Sequence, residues 1–456
     1  MGSLNWQGCI LTSHKSLLFS LAFVRRTIIT SLTGFLVIFW LLRDIGLRGI
    51  ECVTQVYAKP VRCAGNLWFE IFFWLVVILL IAWDLWEDQQ FQVYFNYWKK
   101  LWLIIPFLFF AILSSTWSLQ PQVTIIKSFI LISASIAVVF IIFRSTPVKW
   151  MSLLASYFFI LIVASYFLIL VLPSLGTMQN QPYNGAWSGI FWHRNYLGSI
   201  MAFTSVLFLF RNFIFSGNKI KNGAINSLGF IASAFLVIGS RSAAGILTLV
   251  ILCALFSLFL IWTKIQMKLK LTHYIIIGVI LIGSAILVLT NLDFIFGLLN
   301  RNTSLTGRIP LWNTLFDDYI SNRLFFGHGY GAIWSFSDFR LGLQAELGWG
   351  YPVLIGDNGL VDILLHLGII GAGIMVFIIL FSLVKAVKSA FTHKSLLSLF
   401  PLITIVYIIV CNISLSLLIE LEYLTWALLI TSIMISIQHD VKINRSLSKT
   451  QIDQQK

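Results

Sequence analysis

Apolar runs separated by short polar breaks make up most of this chain, and one long polar stretch interrupts them. The runs lie at roughly 27–42, 68–83, 101–113, 124–143, 151–172, 189–210, 223–238, 243–263, 272–290, 359–384, 396–413 and 420–437. That is about twelve segments of the kind that cross a bilayer as helices of about 20 residues. Their apolar residues are continuous instead of alternating, which argues against the period-two strands of a membrane barrel. Backbone polar groups are not left unpaired in hydrocarbon, so the runs are predicted as helices. The predicted fold is all-α, a polytopic helical membrane protein of about twelve transmembrane helices with one long external loop.

The same pattern divides the chain. Residues 1–100 form an N-terminal membrane region, 101–290 a membrane core, 291–358 the long loop, 359–437 the C-terminal membrane helices and 438–456 a tail. Loops of this length without secondary structure are uncommon and tend to be functional. This one holds Thr306-Gly307-Arg308, Gly327-His328-Gly329-Tyr330-Gly331 and Asp357-Asn358-Gly359. Within it Ile309, Leu311, Trp312, Leu315, Phe316, Tyr319 and Ile320 recur at helical spacing after Pro310. That spacing predicts an amphipathic helix lying on the membrane surface. The three loop glycines read as a tight turn in preference to a phosphate cradle. Trp334 and Trp349 are candidates to stack on sugar rings. Asp362 and His366, four residues apart on the following span, are predicted to pair inside it.

Composition strengthens the membrane reading: 59% of residues are hydrophobic and 11% charged, with a mean hydropathy of +0.91. The formal net charge of +14 suggests nucleic acid until its distribution is considered. Basic residues crowd the short loops, as Arg211, Lys219 and Lys221, Lys264, Lys268 and Lys270, and Lys385, Lys388 and Lys394, with more in the tail. The positive-inside rule makes these loops cytoplasmic. The long loop then faces outward, with both termini inside, and no nucleic-acid partner is expected. Segment 43–67 opposes this topology, because it would be external yet carries Arg43, Arg48, Lys59 and Arg62.

Soluble cofactor chemistry finds no motif. The five cysteines include no CxxC or His/Cys cluster of metal-ligand spacing, and only Cys52 and Cys63 share a loop where a disulfide is conceivable. There is no Walker loop and no dinucleotide fingerprint, so neither a cofactor nor a metal is expected. The predicted topology instead gathers polar residues on one face. Ser240-Arg241-Ser242 forms an external turn between two spans, and Trp192-His193-Arg194-Asn195 sits at the outer end of a third. With the long loop on that side, His193, Arg194, Arg241, Arg308, His328 and Asp357 are expected to converge. Charged residues at span ends suggest function, although such a residue can also simply snorkel to headgroups.

These residues carry a resemblance. Gly189-Ile190-Phe191-Trp192-His193-Arg194-Asn195-Tyr196-Leu197-Gly198 resembles the G-x-F-x-H-[KR]-N-x-L-G pattern of the O-antigen ligase and exopolysaccharide polymerase superfamily. Gly239-Ser240-Arg241-Ser242 is similar to that family's serine–arginine turn. Thr306-Gly307-Arg308-Ile309-Pro310-Leu311-Trp312, with Gly327, Gly329 and Gly331 after it, resembles its TGR-x-x-x-W region. Trp117-Ser118-Leu119-Gln120-Pro121 resembles its W-S-x-x-P turn. The ordered set spans roughly 100–375. The resemblance implies an inverting, metal-independent glycosyltransferase of the plasma (inner) membrane, with its active site facing the periplasm or cell exterior. It would move a glycan from undecaprenyl pyrophosphate to an acceptor glycan or lipid A core.

In that setting Arg194, Arg241 and Arg308 are candidates for the diphosphate, since planar guanidinium forks bind phosphate bidentately. His193, Asn195 and Asn358 join them as substrate-binding candidates. Asp357, Arg308 and His328 are the catalytic candidates. The chain departs from the family at Asp357-Asn358, where His-Asn is usual. Asp357 reads equally as a general base and as the N-cap of the next helix. The principal alternative is a secondary transporter of a small anion or sugar. Transporters show inverted repeats and interrupted helices with polar groups at the midplane, and here the polar residues gather at one face.

Overall fold

Residues 32–34, 67–179, 183–214, 220–265, 308–349, 353–418 and 424–437 are described by the computed structural model. The apolar runs become helices: α1 (Leu67–Glu87), α2 (Phe91–Lys100), α3 (Ile105–Leu113), α4 (Pro121–Arg144), α5 (Pro147–Val171), α6 (Arg194–Ile214), α7 (Ile220–Gly239), α8 (Ala243–Ile265), α11 (Gly359–His393) and α12 (Leu396–Asn412). A last helix, α13, runs Leu424–Ile437. The long loop adds α9 (Arg308–Thr314) and α10 (Ser337–Leu347). The described residues are thus all-helical, apart from one isolated bridge between Thr177 and Trp187.

Six of these helices are long and apolar enough to cross a membrane. A seventh crossing is possible if α2 and α3, bent by 89° at their break, act as one span. The segments 223–239, 396–412 and 424–437 are apolar helices of shorter length. The expected total of about twelve is therefore matched in part. The run 272–290, all but three residues of 27–42, the Cys52–Cys63 loop, Thr306-Gly307 and the basic tail lie outside the described residues.

Local chemistry starts and stops the helices. Pro121 and Pro147 occupy first turns, where a missing N–H costs nothing. Thr146 caps α5 by accepting from the Lys149 amide, and Ser395 with Ser398 forms a capping box on α12. The centre of the bundle is α6, packed by α5, α7, α8 and α12. Its neighbours approach closely where side chains are small. A Cβ on Gly245 would fall 2.6 Å from the Gly198 backbone, and the ring of Phe208 covers Gly229. Ser205 and Ser233 hydrogen-bond between α6 and α7 at 2.9 Å. Leu79, Leu170 and Phe377 remain more than half exposed, as lipid-facing positions of a membrane helix should be. At the far end of α4, Arg144 bonds Asp84, Asp88 and Gln90. That network had no counterpart among the sequence expectations.

The decisive feature is a break in α11. Gly368 has φ 63 and ψ −165, outside helical space. The backbone of the long loop takes over the lost partners. Ile369 and Ile370 donate to the carbonyls of Leu324 and Phe325 at 2.7 and 3.3 Å, while His328 and Gly329 donate to Leu365 and His366 at 3.1 and 2.9 Å. A broken helix inside a membrane protein survives when other groups satisfy its backbone in this way. Gly327, Gly329 and Gly331 all have positive φ, so the turn reading of these glycines is the one the geometry supports. A Cβ on Gly327 would lie 2.5 Å from the His366 backbone.

Candidate functional site

The loop encloses a small core of its own. Leu311, Leu315, Ile320, Phe339 and Leu343 pack together against Val361 and Leu365 of α11. The predicted amphipathic helix exists, as α9 followed by a π-helical turn over Leu315–Ile320. Leu311, Leu315 and Ile320 are turned to α10 and α11 instead of to the expected membrane surface, while Ile309 and Phe316 of the same helix stay exposed. Trp334 is 5% exposed, packs against Phe339 and donates to Asp362 at 2.9 Å, so it is a core residue and not a sugar platform. Asp362 also accepts from the Gly356 amide, and His366 Nδ1 accepts from the Gly331 amide at 2.7 Å. Both side chains fasten the loop to α11.

Segment 356–358 is held from several directions. Trp312 donates its indole N–H to the Gly356 carbonyl at 2.8 Å, while Asp362 takes the Gly356 amide. Asn358 is the N-cap of α11, accepting from Leu360 and Val361. Its side-chain amide donates to the Ile413 carbonyl, and its backbone amide donates to Ser416 Oγ. The capping role weighed for Asp357 thus belongs to Asn358, whose side chain is engaged in structure. Asp357 sits between these fixed points at φ 52. Left-handed backbone is uncommon outside glycine and recurs at functional sites.

The Asp357 carboxylate accepts from Arg308 Nε at 3.4 Å. Arg308 Nη2 donates to the Ser414 carbonyl at 2.9 Å, which fixes the guanidinium plane. The Asp357 side chain keeps 36% of its surface open and that of Arg308 14%. Its surroundings push the Asp357 pKa above the usual carboxylate value, and the opposing pull of Arg308 is the weaker influence.

The His193 motif joins this cluster. Burial first, then the positive charges of Arg194 and Arg308, hold the His193 pKa down to about 3. His193 is therefore neutral at physiological pH. Its Nδ1 accepts from the Asn195 amide at 3.2 Å, so the neutral ring carries its proton on Nε2 and presents a donor there. Arg194 donates to the Arg241 backbone carbonyl, and Ser242 donates to Asn195 Oδ1 at 3.0 Å. The helix begins at Arg194, so Trp192 and His193 occupy the preceding turn and not the expected span 189–210.

Two groups of the expected residues therefore form: Arg308 with Asp357, and His193, Arg194 and Asn195 with the Arg241 turn. His193 lies near enough to Arg308 to feel its charge. His328 stands elsewhere. It is 6% exposed, and its Nδ1 lies 3.0 Å from the Leu365 carbonyl beside the α11 break. From Gly359, where α11 begins, to Leu365 the helix climbs about 9 Å. Burial holds the His328 pKa down to about 4, despite the upward effect of that carbonyl. The Trp117 turn packs at the same break, donating its indole to Phe326 and its carbonyl accepting from Arg323. Among the described residues no group of three His, Cys, Asp or Glu is arranged to hold a metal.

Sequence reasoning missed two contributors. Tyr183 lays its ring 3.9 Å from the Arg194 guanidinium carbon, and the Trp187 ring covers Gly239. Both lie in a stretch that carries no motif. No curated protein matches the chain. Residues 228–376, about a third of the chain, match the family described as O-Antigen ligase. That span holds Arg241, Arg308, His328, Asp357 and Asn358, while His193, Arg194 and Asn195 precede it. Over that span the resemblance drawn from the motifs is borne out: residues 228–376 match the O-antigen ligase domain, whose family of ligases and polymerases are glycosyltransferases of polysaccharide assembly, while the Trp117 and His193 motifs lie outside the match.

Proposed function

We propose that this protein transfers a glycan from undecaprenyl pyrophosphate to an acceptor hydroxyl at the outer face of the plasma membrane, with inversion and without a metal. The observation that carries the reading is the pairing of Arg308 with Asp357 beside His193. Supporting it are the guanidinium fork of Arg308 on the partly open Asp357 carboxylate, and a neutral His193 near enough to feel the Arg308 charge. In this reaction the acceptor oxygen attacks the anomeric carbon while the carbon–oxygen bond to the diphosphate breaks. The hydroxyl proton passes to Asp357, and the lipid diphosphate leaves with its charge held by Arg308 and Arg241. Charge-assisted hydrogen bonds aimed at a departing anion are among the strongest catalytic terms.

The transporter alternative gains one observation, the interrupted α11. Interrupted helices in transporters leave backbone groups facing a substrate cavity, whereas here the loop backbone fills the break. The acceptor is another glycan or lipid A core. About twelve crossings and an outward-facing loop complete the reading. Cysteine labelling at Ser304 and Ser448 in intact cells tests the orientation, since faster labelling at Ser448 would reverse it. Transfer from a lipid-linked oligosaccharide by the purified protein tests the activity. Transport of free anion or sugar without transfer would overturn it.

A further inference from the structure

Arg194 was expected to hold substrate, yet its surroundings occupy it. It is 2% exposed. Its Nη1 donates to the Arg241 carbonyl, and its flat face lies on Tyr183 at 3.9 Å. At that distance an aromatic face attracts a cation, the more so when the pair is desolvated. Arg241 has the opposite character: its backbone is constrained at φ 51 while its side chain is exposed. A non-glycine residue keeps left-handed backbone when its surroundings over-determine it.

The surroundings do so from two sides. On the α6 side, Asn195 accepts from Ser242 Oγ, and a Cβ on Gly198 would fall 2.8 Å from both Ser240 Oγ and Ser242 Cβ. On the other side lies a hairpin-like segment in which Met178 donates to Ala186 at 2.8 Å. Its Trp187 donates to the Gly239 carbonyl at 3.0 Å, one residue before the turn. The same segment supplies Tyr183. Arg194 therefore joins the hairpin to the turn, with its face on one and its edge on the other. Lysine has neither the flat face nor the fork required to do both.

We infer that Arg194, stacked on Tyr183, is a positioning residue that locks the Ser240–Arg241–Ser242 turn, so that Arg241 and not Arg194 meets the diphosphate of the lipid-linked substrate. The inference rests on the diphosphate reading given above. Arg194 and Tyr183 then act through Arg241, and their loss cannot add to its loss.

The test uses the full chain in lipid nanodiscs, with binding of polyprenyl diphosphate and glycan transfer both measured. Arg194→Lys and Tyr183→Leu are expected to weaken binding about tenfold and to raise KM more than they lower kcat. Tyr183→Phe keeps the ring face and is expected to stay within about twofold of the parent. The double variant Arg194→Lys/Arg241→Lys should bind no more weakly than Arg241→Lys alone. Losses that multiply in the double variant would mean that Arg194 contacts substrate itself, overturning the positioning role and leaving the diphosphate reading intact. A silent Arg241→Lys would also overturn it. Failure of the parent protein to bind polyprenyl diphosphate would bring down the functional reading and this inference together. If Arg194→Lys proves unstable, the contrast between Tyr183→Phe and Tyr183→Leu decides, with equal binding by the two overturning the inference.

Discussion

The two ends of the long loop treat their polar groups in opposite ways. Around Gly327–Gly331, His328 is buried and bonded to the Leu365 carbonyl, and the backbone of 324–329 completes a broken helix. Around Arg308 and Asp357, an arginine and a carboxylate meet at a long 3.4 Å and the carboxylate stays partly open. The first region spends its hydrogen-bonding capacity on architecture. The second keeps some in reserve, and a site must have that reserve in order to bind anything. A histidine and an aspartate that looked like equal candidates in the sequence are separated by this difference alone.

The sharpest way to break the comparison is to neutralise the carboxylate. Asp357→Asn preserves shape, and Asn358 still caps the helix, so folding should persist while turnover falls by about 10² or more. Asp357→His, which installs the family's usual residue, is expected to recover part of that loss. Wild-type turnover of purified Asp357→Asn would remove Asp357 from the chemistry.

Arg308→Lys comes next in size. It keeps the charge but loses the fork that now reaches both Asp357 and Ser414, and transfer should drop roughly tenfold at normal membrane levels. Unchanged transfer would reduce Arg308 to an anchor.

The pH profile offers a subtler probe. A base with a raised pKa loses activity as pH falls through that value, so the acid limb should lie above the ordinary carboxylate position of about 3.9. His193 and His328, with pKa values held down to about 3 and about 4, remain neutral near pH 7 and should add no inflection there. In Asp357→His the limb should move up toward about 6.5. A limb unmoved by that substitution would assign it to another group.

The smallest effect on catalysis belongs to the architectural end. His328→Gln and Trp334→Phe should each lower stability by about 1–2 kcal/mol, the scale of a lost buried hydrogen bond. Transfer per folded molecule should stay within about twofold of the parent. A hundredfold loss in His328→Gln without destabilisation would erase the distinction between the two ends.

Much of this was legible in the residues. Continuous apolar runs lead directly to helices, because the 3.6-residue period and the bilayer leave few alternatives. The turn at Ser240–Ser242 and the helix after Pro310 were visible because serine, arginine and proline interrupt or start an apolar pattern. Two things were not visible. Capping preference is shared by Asp and Asn, so nothing local could show that Asn358 takes the cap and leaves Asp357 outside it. The break at Gly368 was hidden because glycine within an apolar helix is commonplace. What makes it a break is a strand of loop some forty residues earlier. Tyr183 escaped for a similar reason, since its partner Arg194 is brought to it by tertiary packing.

The completed break in α11 also has a consequence for how the chain is made and remade. Residues 324–329 leave the ribosome before the helix they complete, so the amides of Ile369 and Ile370 must wait for a segment already delivered to fold back. Until it does, that half of α11 is an interrupted apolar stretch with unmet donors. Loop and helix are therefore one inheritable piece. A chimera that grafts a relative's loop 308–349 onto this bundle should mature poorly unless it carries the matching stretch 359–370 with it.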